Sequence, residues 1–161
     1  MKKQTGFTII ELIITLAMVA ILAGYAVPAL QDLIDNNRST AQANNFLAAL
    51  TLARSEAIKR RASVNVVAVD SSDAANEWGP GWQVNSGGIL IRDFEATAGS
   101  TLNSQGSVAT VTFDPSGILS APAVGTDMDF ELLPGSGDTD FARCISMTRT
   151  GRASITVGTC S

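Results

Sequence analysis

Residues 6–30 read GFTIIELIITLAMVAILAGYAVPAL. Between Phe7 and Leu30 a single charged side chain, Glu11, interrupts the apolar run. A charge in hydrocarbon is costly unless something pairs with it. Either this stretch does not lie in a membrane, or Glu11 has a partner there.

Lys2 and Lys3 precede the run, and three readings of the N-terminus compete. A cleaved secretory signal needs a short apolar core followed by a small-residue cleavage site. Here the apolar run is too long and passes directly into helix-like sequence. A buried globular helix has no need of two lysines in front of it. A membrane-spanning helix fits best, because about 20 residues cross the hydrocarbon layer and the lysines then stay on the cytoplasmic side. The rest of the chain lies outside the cytoplasm on that reading.

The chain has 161 residues, so setting the membrane segment aside leaves room for one ordinary domain. Hydrophobic residues make up 45% of it and are concentrated at the front, and the remainder reads as a soluble domain rich in Gly, Ser, Thr and Ala. Removing Lys2 and Lys3 from the 11 basic residues leaves nine against 15 acidic ones. The exported part is therefore acidic, which argues against general nucleic-acid affinity.

Past the apolar run, Leu30, Leu33, Ile34, Ala43, Phe46, Leu47, Leu50, Ala53, Ala57 and Ile58 recur at three- and four-residue steps. This is one amphipathic stripe, and it predicts a helix from about residue 8 to about residue 61, roughly 80 Å long at 1.5 Å per residue. Gly24 and Pro28 are the expected places for a bend or local melting. Lys59, Arg60 and Arg61 fall in the last turn, where cations suit the negative end of the helix dipole; a dedicated binding patch is the alternative. From Val64 the pattern becomes β-branched, and short alternating runs follow: WQV at Trp82, then Gly88 to Phe94, Val108 to Asp114, Met128 to Leu133, Ala142 to Thr148 and Ala153 to Gly158. Clusters of Gly, Pro, Ser and Asp separate them. The fold class is α+β, a long helix packed on an antiparallel β-sheet head. Trp82 reads as a core anchor, with a ligand-stacking platform as the alternative.

Gly6-Phe7-Thr8 with Ile9, Ile10, Glu11 and Leu12 resembles the GFTxxEL processing signal of type IV pilins and type II secretion pseudopilins. The stretches GPGWQV (79–84), FDPSG (113–117) and CISMTRTGRASI (144–155) are similar to the FimT, FimU and GspH group of minor pilins and pseudopilins. The resemblance implies a prepilin with a leader at 1–6, a transmembrane and assembly helix at 7–29, an amphipathic helix at 30–62 and a β-rich periplasmic head at 63–161. It also implies that a membrane-embedded prepilin peptidase cuts between Gly6 and Phe7 and methylates the new amine of Phe7. Glu11 then has a candidate partner, the N-terminal amine of a neighbouring subunit. Both charges are costly in lipid and tolerable together. An intrahelical contact between Glu11 and its own amine fits the same spacing.

Cys144 and Cys160 are the two cysteines. Outside the cytoplasm such a pair is most simply a disulfide, worth about 3 kcal/mol in the chain-entropy model, and it would pin the final hairpin around TRTGRAS. A C-terminal disulfide is commoner in the FimT and FimU branch than among GspH proteins, so the resemblance points towards a pilus.

There is no histidine for proton transfer, no GxSxG elbow and no phosphate-cradling glycine loop, so no catalysis and no cofactor are expected. Asp127, Asp129 and Glu131 alternate along one strand, and Asp138 and Asp140 follow a Gly-Ser loop. They lack the spacing of a calcium loop and read as a solvated acidic surface, with no metal expected. Between Asp93 and Asp140 lie eight acidic and no basic side chains, whereas Arg143, Arg149 and Arg152 follow without an acid. In FimT-type pilins linked to natural transformation, a C-terminal GRxR motif is implicated in holding DNA. Gly151-Arg152 matches its start, and Ser154 stands where the second arginine would be. Arg143, Arg149 and Arg152 are thus candidate contacts for double-stranded DNA, the alternative being a soluble turn that balances an acidic lobe.

The expected function is a minor type IV pilin of the FimT or FimU kind, held in the bacterial inner membrane and assembled with major and minor pilins, in a tip complex that starts the filament. A DNA-uptake pilin and a GspH-like pseudopilin of type II secretion are the alternatives.

Overall fold

The computed structural model describes residues 7–95, 99–122 and 127–160. The chain divides into two compact units, Met1–Ile34 and Asp35–Ser161. Helix α1 (Ile9–Arg60) accounts for nearly all of the described part of the first unit and opens the second.

In the first unit every side chain from Phe7 to Ile34 is exposed. The most apolar 18-residue window of α1 has a mean hydropathy of 2.3, and by length and composition the helix can cross a membrane. The backbone stays helical through Gly24 and Pro28, so the missing N–H of proline does not end the helix.

In the second unit α1 buries Ser39, Gln42, Ala43, Phe46, Ala49, Leu50, Ala53 and Ala57, the three- and four-residue spacing of a helix with one core-facing side. Leu47 of the expected stripe is half-buried and Ile58 is exposed. The helix stops where Arg61 takes a left-handed φ of 52°, and the N–H of Ala62 donates to the Ala57 carbonyl at 3.3 Å, a Schellman-type cap.

Nine strands follow: β1 (Val64–Ala68), β2 (Gly81–Ser86), β3 (Ile89–Glu95), β4 (Thr101–Ser104), β5 (Thr110–Phe113), β6 (Leu119–Ala121), β7 (Met128–Leu133), β8 (Arg143–Met147) and β9 (Ala153–Val157), with a short 3-10 turn at Thr139–Phe141 before β8. They form two sheets with the orders β3-β2-β1-β5-β6 and β4-β7-β8-β9. All the pairings are antiparallel. The sequence pointed to one antiparallel lobe; the strands divide between two sheets, and the short edges β4 and β6 are the strands that local pattern does not reveal.

Phe46 ties α1 to both sheets. Its ring lies 5.1 Å from Trp82 in β2, 4.8 Å from Phe130 in β7 and 5.2 Å from Trp78 in the β1–β2 connection, each edge to face. Trp82 is fully buried, as expected of a core anchor. Trp78 is buried as completely, and its indole N–H donates to the Val108 carbonyl at 2.9 Å.

Candidate functional site

At the start of α1, the Thr8 carbonyl accepts from the N–H of Leu12 at 3.2 Å, and the Thr8 hydroxyl accepts from the N–H of Glu11 at 3.3 Å. Thr8 is thus the N-cap and Glu11 the third helical residue, the arrangement of a T-x-x-E capping box. The Glu11 carboxylate also stands in the first turn, where the helix dipole favours negative charge. Glu11 and Phe7 are exposed, and Glu11 has no ion-pair partner among the described residues. Gly6 lies outside the described residues.

The three C-terminal arginines do not form one patch. Arg143 is only 6% exposed, and its guanidinium donates to the Ala142 carbonyl at 2.7 Å, to Asn36 Oδ1 at 2.5 Å and to Thr40 Oγ1 at 3.1 Å. This corrects its assignment as a DNA contact, because its donors clasp β8 to the part of α1 that begins the second unit. It sits on the same side of β8 as the buried Ile145 and Met147, two and four residues along, so strand alternation turns it inward.

Arg149 and Arg152 are exposed on the β8–β9 turn. That turn is closed by the N–H of Thr148 donating to the Arg152 carbonyl and the N–H of Gly151 donating to the Thr148 carbonyl, both at 2.9 Å. It docks on the Asp114–Gly117 turn between β5 and β6, where the N–H of Leu119 donates to the Arg149 carbonyl at 3.0 Å. Gly151 has φ 76°, and a Cβ added there would lie 2.4 Å from the Gly117 carbonyl oxygen and 3.3 Å from Arg54 Nε. Arg54 itself donates through Nε to the Gly117 carbonyl at 3.1 Å. Arg54 lies on α1 with no sequence signal that marks it, and only the fold brings it to this turn. Asn36 and Arg54 are 18 positions apart, so the Arg143 clasp and the Arg149–Arg152 turn sit about 27 Å apart along α1 at 1.5 Å per residue.

The basic end of α1 is partly neutralised. Glu56 pairs with Arg60 at 2.5 Å and with Lys59 at 3.4 Å. The Arg60 hydrogen bond is the main reason that the Glu56 carboxyl lies below its ordinary value, against some desolvation, with Lys59 adding to it. This fits the reading of these cations as helix-end residues.

Cys144 and Cys160 are joined in a disulfide, with their Cα atoms 5.1 Å apart. Cys144 stands across from Glu131 in β7 and Thr156 in β9. Asp129 and Glu131 alternate on one face of β7, opposite Ser146 and Cys144 of β8. Among the described residues no three acidic, cysteine or histidine side chains converge as a metal site would require.

The family profile described as Type II transport protein GspH matches residues 42–151, and the profile described as prokaryotic N-terminal methylation motif matches residues 1–27. Among curated proteins, the type IV major alpha-pilin of Moraxella bovis is 43% identical over 51 residues, covering 32% of this chain and 32% of that protein. Fimbrial protein Q of Moraxella bovis is 50% identical over 40 residues, covering 25% and 26%. The chain thus spans about a third or less of the length of these curated relatives. Among solved structures, a crystal structure of the type IV minor pilin FimU of Pseudomonas aeruginosa superposes with a TM-score of 0.64 at 27% identity, covering 74% of this chain and 89% of that one. A second crystal form of FimU gives a TM-score of 0.60 at 26% identity, over 73% and 91%.

Proposed function

The chain belongs to the GspH family of minor pilins and pseudopilins, and on that premise we propose that it is a FimU-like minor type IV pilin that joins other minor pilins in the complex starting a filament at its tip. Proteins of this family are structural. The observation that carries the reading is the first unit, whose apolar side chains are exposed on every face from Phe7 onward. A helix that is apolar all round has to be covered. Lipid covers it in a lone subunit held in the bacterial inner membrane, and the helices of other major and minor pilins cover it in the filament.

In this scheme the prepilin peptidase cuts between Gly6 and Phe7 and Phe7 is N-methylated. The mature helix then opens on the Thr8 cap, and Glu11 meets the new amine of a neighbour as both leave lipid, so pairing and assembly occur together. Gly24 and Pro28 are where a bend would let helices pack. The second unit is the periplasmic head. The test is Gly6→Leu in the full-length chain, followed by mass spectrometry: it should accumulate as uncut precursor and be missing from sheared filaments. Normal maturation of that variant would refute the processing scheme.

The exposed pair Arg149 and Arg152 beside Arg54 favours a second reading, in which this turn holds duplex DNA for natural transformation. The full chain should then retard duplex DNA at low salt, and Arg149→Gln with Arg152→Gln should abolish the retardation; Arg143 plays no part in it. The GspH profile keeps a pseudopilin of type II secretion as the other alternative, while the C-terminal disulfide favours a pilus.

A further inference from the structure

One end of the five-stranded sheet collects most of the exposed apolar side chains of the second unit. Ser86 pairs with Ile89 to close the β2–β3 hairpin, and Ser86 Oγ donates to the Ser63 carbonyl at 2.9 Å, which sets the hairpin tip beside the junction of α1 and β1. On the other side of that junction Val64 pairs with Phe113, and Phe113 with Leu119, so the β5–β6 turn lies in the same row. From β3 to β6 the row crosses four interstrand gaps, about 19 Å in all. Six large hydrophobic side chains of the second unit are exposed among the described residues: Ile58, Val69, Ile89, Leu90, Ile118 and Val157. Ile58, Ile89, Leu90 and Ile118 stand at this end, with Ile58 against Gly117. Gly87 and Gly88 at the hairpin tip have nothing within 4 Å of a would-be Cβ, so the tip stands clear of the rest of the fold.

The same end carries most of the cations. Arg61 is exposed where α1 stops, Lys59 and Arg60 lie in its last turn, Arg54 touches Gly117, and the Arg149–Arg152 turn docks on Leu119. These are six of the nine basic side chains in residues 35–161. Three carboxylates stand among them. Glu56 pairs with Lys59 and Arg60, Asp114 Oδ1 accepts from the N–H groups of Ser116 and Ile118, and the exposed Asp127 precedes Met128, which pairs with Met147 just before the turn. Six basic less three acidic side chains leave three positive charges here, whereas the rest of residues 35–161 holds three basic against ten acidic ones.

We infer that this end of the second unit is a membrane-surface contact that seats on a bilayer of anionic phospholipid. Ile89 and Leu90 at the hairpin tip enter the boundary between headgroups and acyl chains, while Arg61, Arg149 and Arg152 meet the phosphates. A few apolar side chains or a small basic patch alone bind a bilayer weakly, and the two together hold it. Duplex DNA engages the arginines but leaves the four aliphatic side chains in water, whereas the lipid boundary takes up both. The acidic remainder of the unit is repelled by an anionic plane, which turns this end towards it. That repulsion fades over a Debye length of about 8 Å at physiological salt, so the local positive excess governs close approach. The inference does not depend on the assembly reading above.

The test holds the full chain by its apolar helix in a phosphatidylcholine nanodisc and floats it with separate vesicles, either of phosphatidylcholine alone or with phosphatidylglycerol added. The phosphatidylglycerol vesicles should be captured, the phosphatidylcholine ones should not, and capture should fall as salt rises. Arg149→Gln with Arg152→Gln should weaken capture about 20-fold, and Asp127→Asn should strengthen it about fivefold. Ile89→Ser with Leu90→Ser should weaken it about tenfold. In Leu90→Trp, brominated acyl chains in the vesicles should quench the new indole, because Trp78 and Trp82 are fully buried and stay out of reach. All the substituted side chains are exposed, and the near-UV circular dichroism of Trp78 and Trp82 checks that each variant is folded. Equal capture of the two kinds of vesicle, or an unquenched Leu90→Trp, would overturn the proposal. So would duplex DNA held through Arg149 and Arg152 by a chain whose vesicle capture ignores Ile89→Ser with Leu90→Ser, since the cations would then serve nucleic acid.

Discussion

Alanine at Gly151 should destabilise the second unit by about 3 kcal/mol, from two separable causes. The left-handed φ of 76° costs an L-residue about 1 kcal/mol. The new Cβ would also stand 2.4 Å from the Gly117 carbonyl oxygen and 3.2 Å from Phe113 Cε1, about 1 Å inside ordinary contact with a backbone atom that cannot swing aside. Relief requires the β8–β9 turn to lift off the β5–β6 turn. That stretches the 3.0 Å bond from the N–H of Leu119 to the Arg149 carbonyl and disturbs the Arg54 contact with Gly117, at about 1 kcal/mol for each bond. Gly137 is the control, because it has a nearly identical φ of 74° and nothing within 4 Å of its would-be Cβ. Gly137→Ala should therefore lose only the 1 kcal/mol or so of backbone strain. Thermal unfolding of the full chain in detergent, followed by near-UV circular dichroism of Trp78 and Trp82, should show Tm falling by about 10 °C for Gly151→Ala and about 4 °C for Gly137→Ala. Equal losses for the two variants would mean that the turn-on-turn packing contributes nothing, and the reasoning would fail.

Arg143→Leu removes donors to Ala142, Asn36 and Thr40 and should lower stability by about 2 kcal/mol in urea titration, while leaving any retention of duplex DNA unchanged. Cys144→Ser with Cys160→Ser opens the 16-residue separation closed by the disulfide and should cost about 3 kcal/mol; reductant added to the unmodified chain should produce the same shift of the urea midpoint. Glu56 is held below its ordinary 4.5, chiefly by Arg60. A depressed carboxyl stabilises the fold above its unfolded pKa and loses that contribution as pH falls through the folded value. Glu56→Gln should therefore flatten the pH dependence of stability just below 4.5, which acid titration of Tm would reveal.

Much of this was written locally. The apolar run from Phe7 and the three- and four-residue recurrence from Ala43 to Ala57 fixed the helix because both patterns repeat within a few residues. The alternation in MDFELL and ASITV did the same for β7 and β9. Two further features are legible in the sequence: Thr8-x-x-Glu11 is a capping signature, and Arg143 shares the parity of Ile145 and Met147 along β8. Other features had no local trace. Trp78 sits in a turn-rich stretch, and the partners that hold it in the core, Phe46, Phe130 and the Val108 carbonyl among them, are distant in sequence. The approach of Gly151 to Gly117 joins two turns 34 positions apart, and its meaning for Arg149 and Arg152 appears only when both sheets are assembled on Arg54. β4 and β6 span four and three residues, too short for any periodicity to register.

The disulfide has a mechanical consequence. An edge strand pulled from a loose end unzips one hydrogen bond at a time, the weakest way for a sheet to resist load. β9 is such an edge strand, but the turn docked on Gly117 holds one side of it and the Cys144–Cys160 bond the other. With the loop closed covalently, a pull arriving at Cys160 passes through the disulfide straight into β8, and β9 lies inside the loop, shielded from the load.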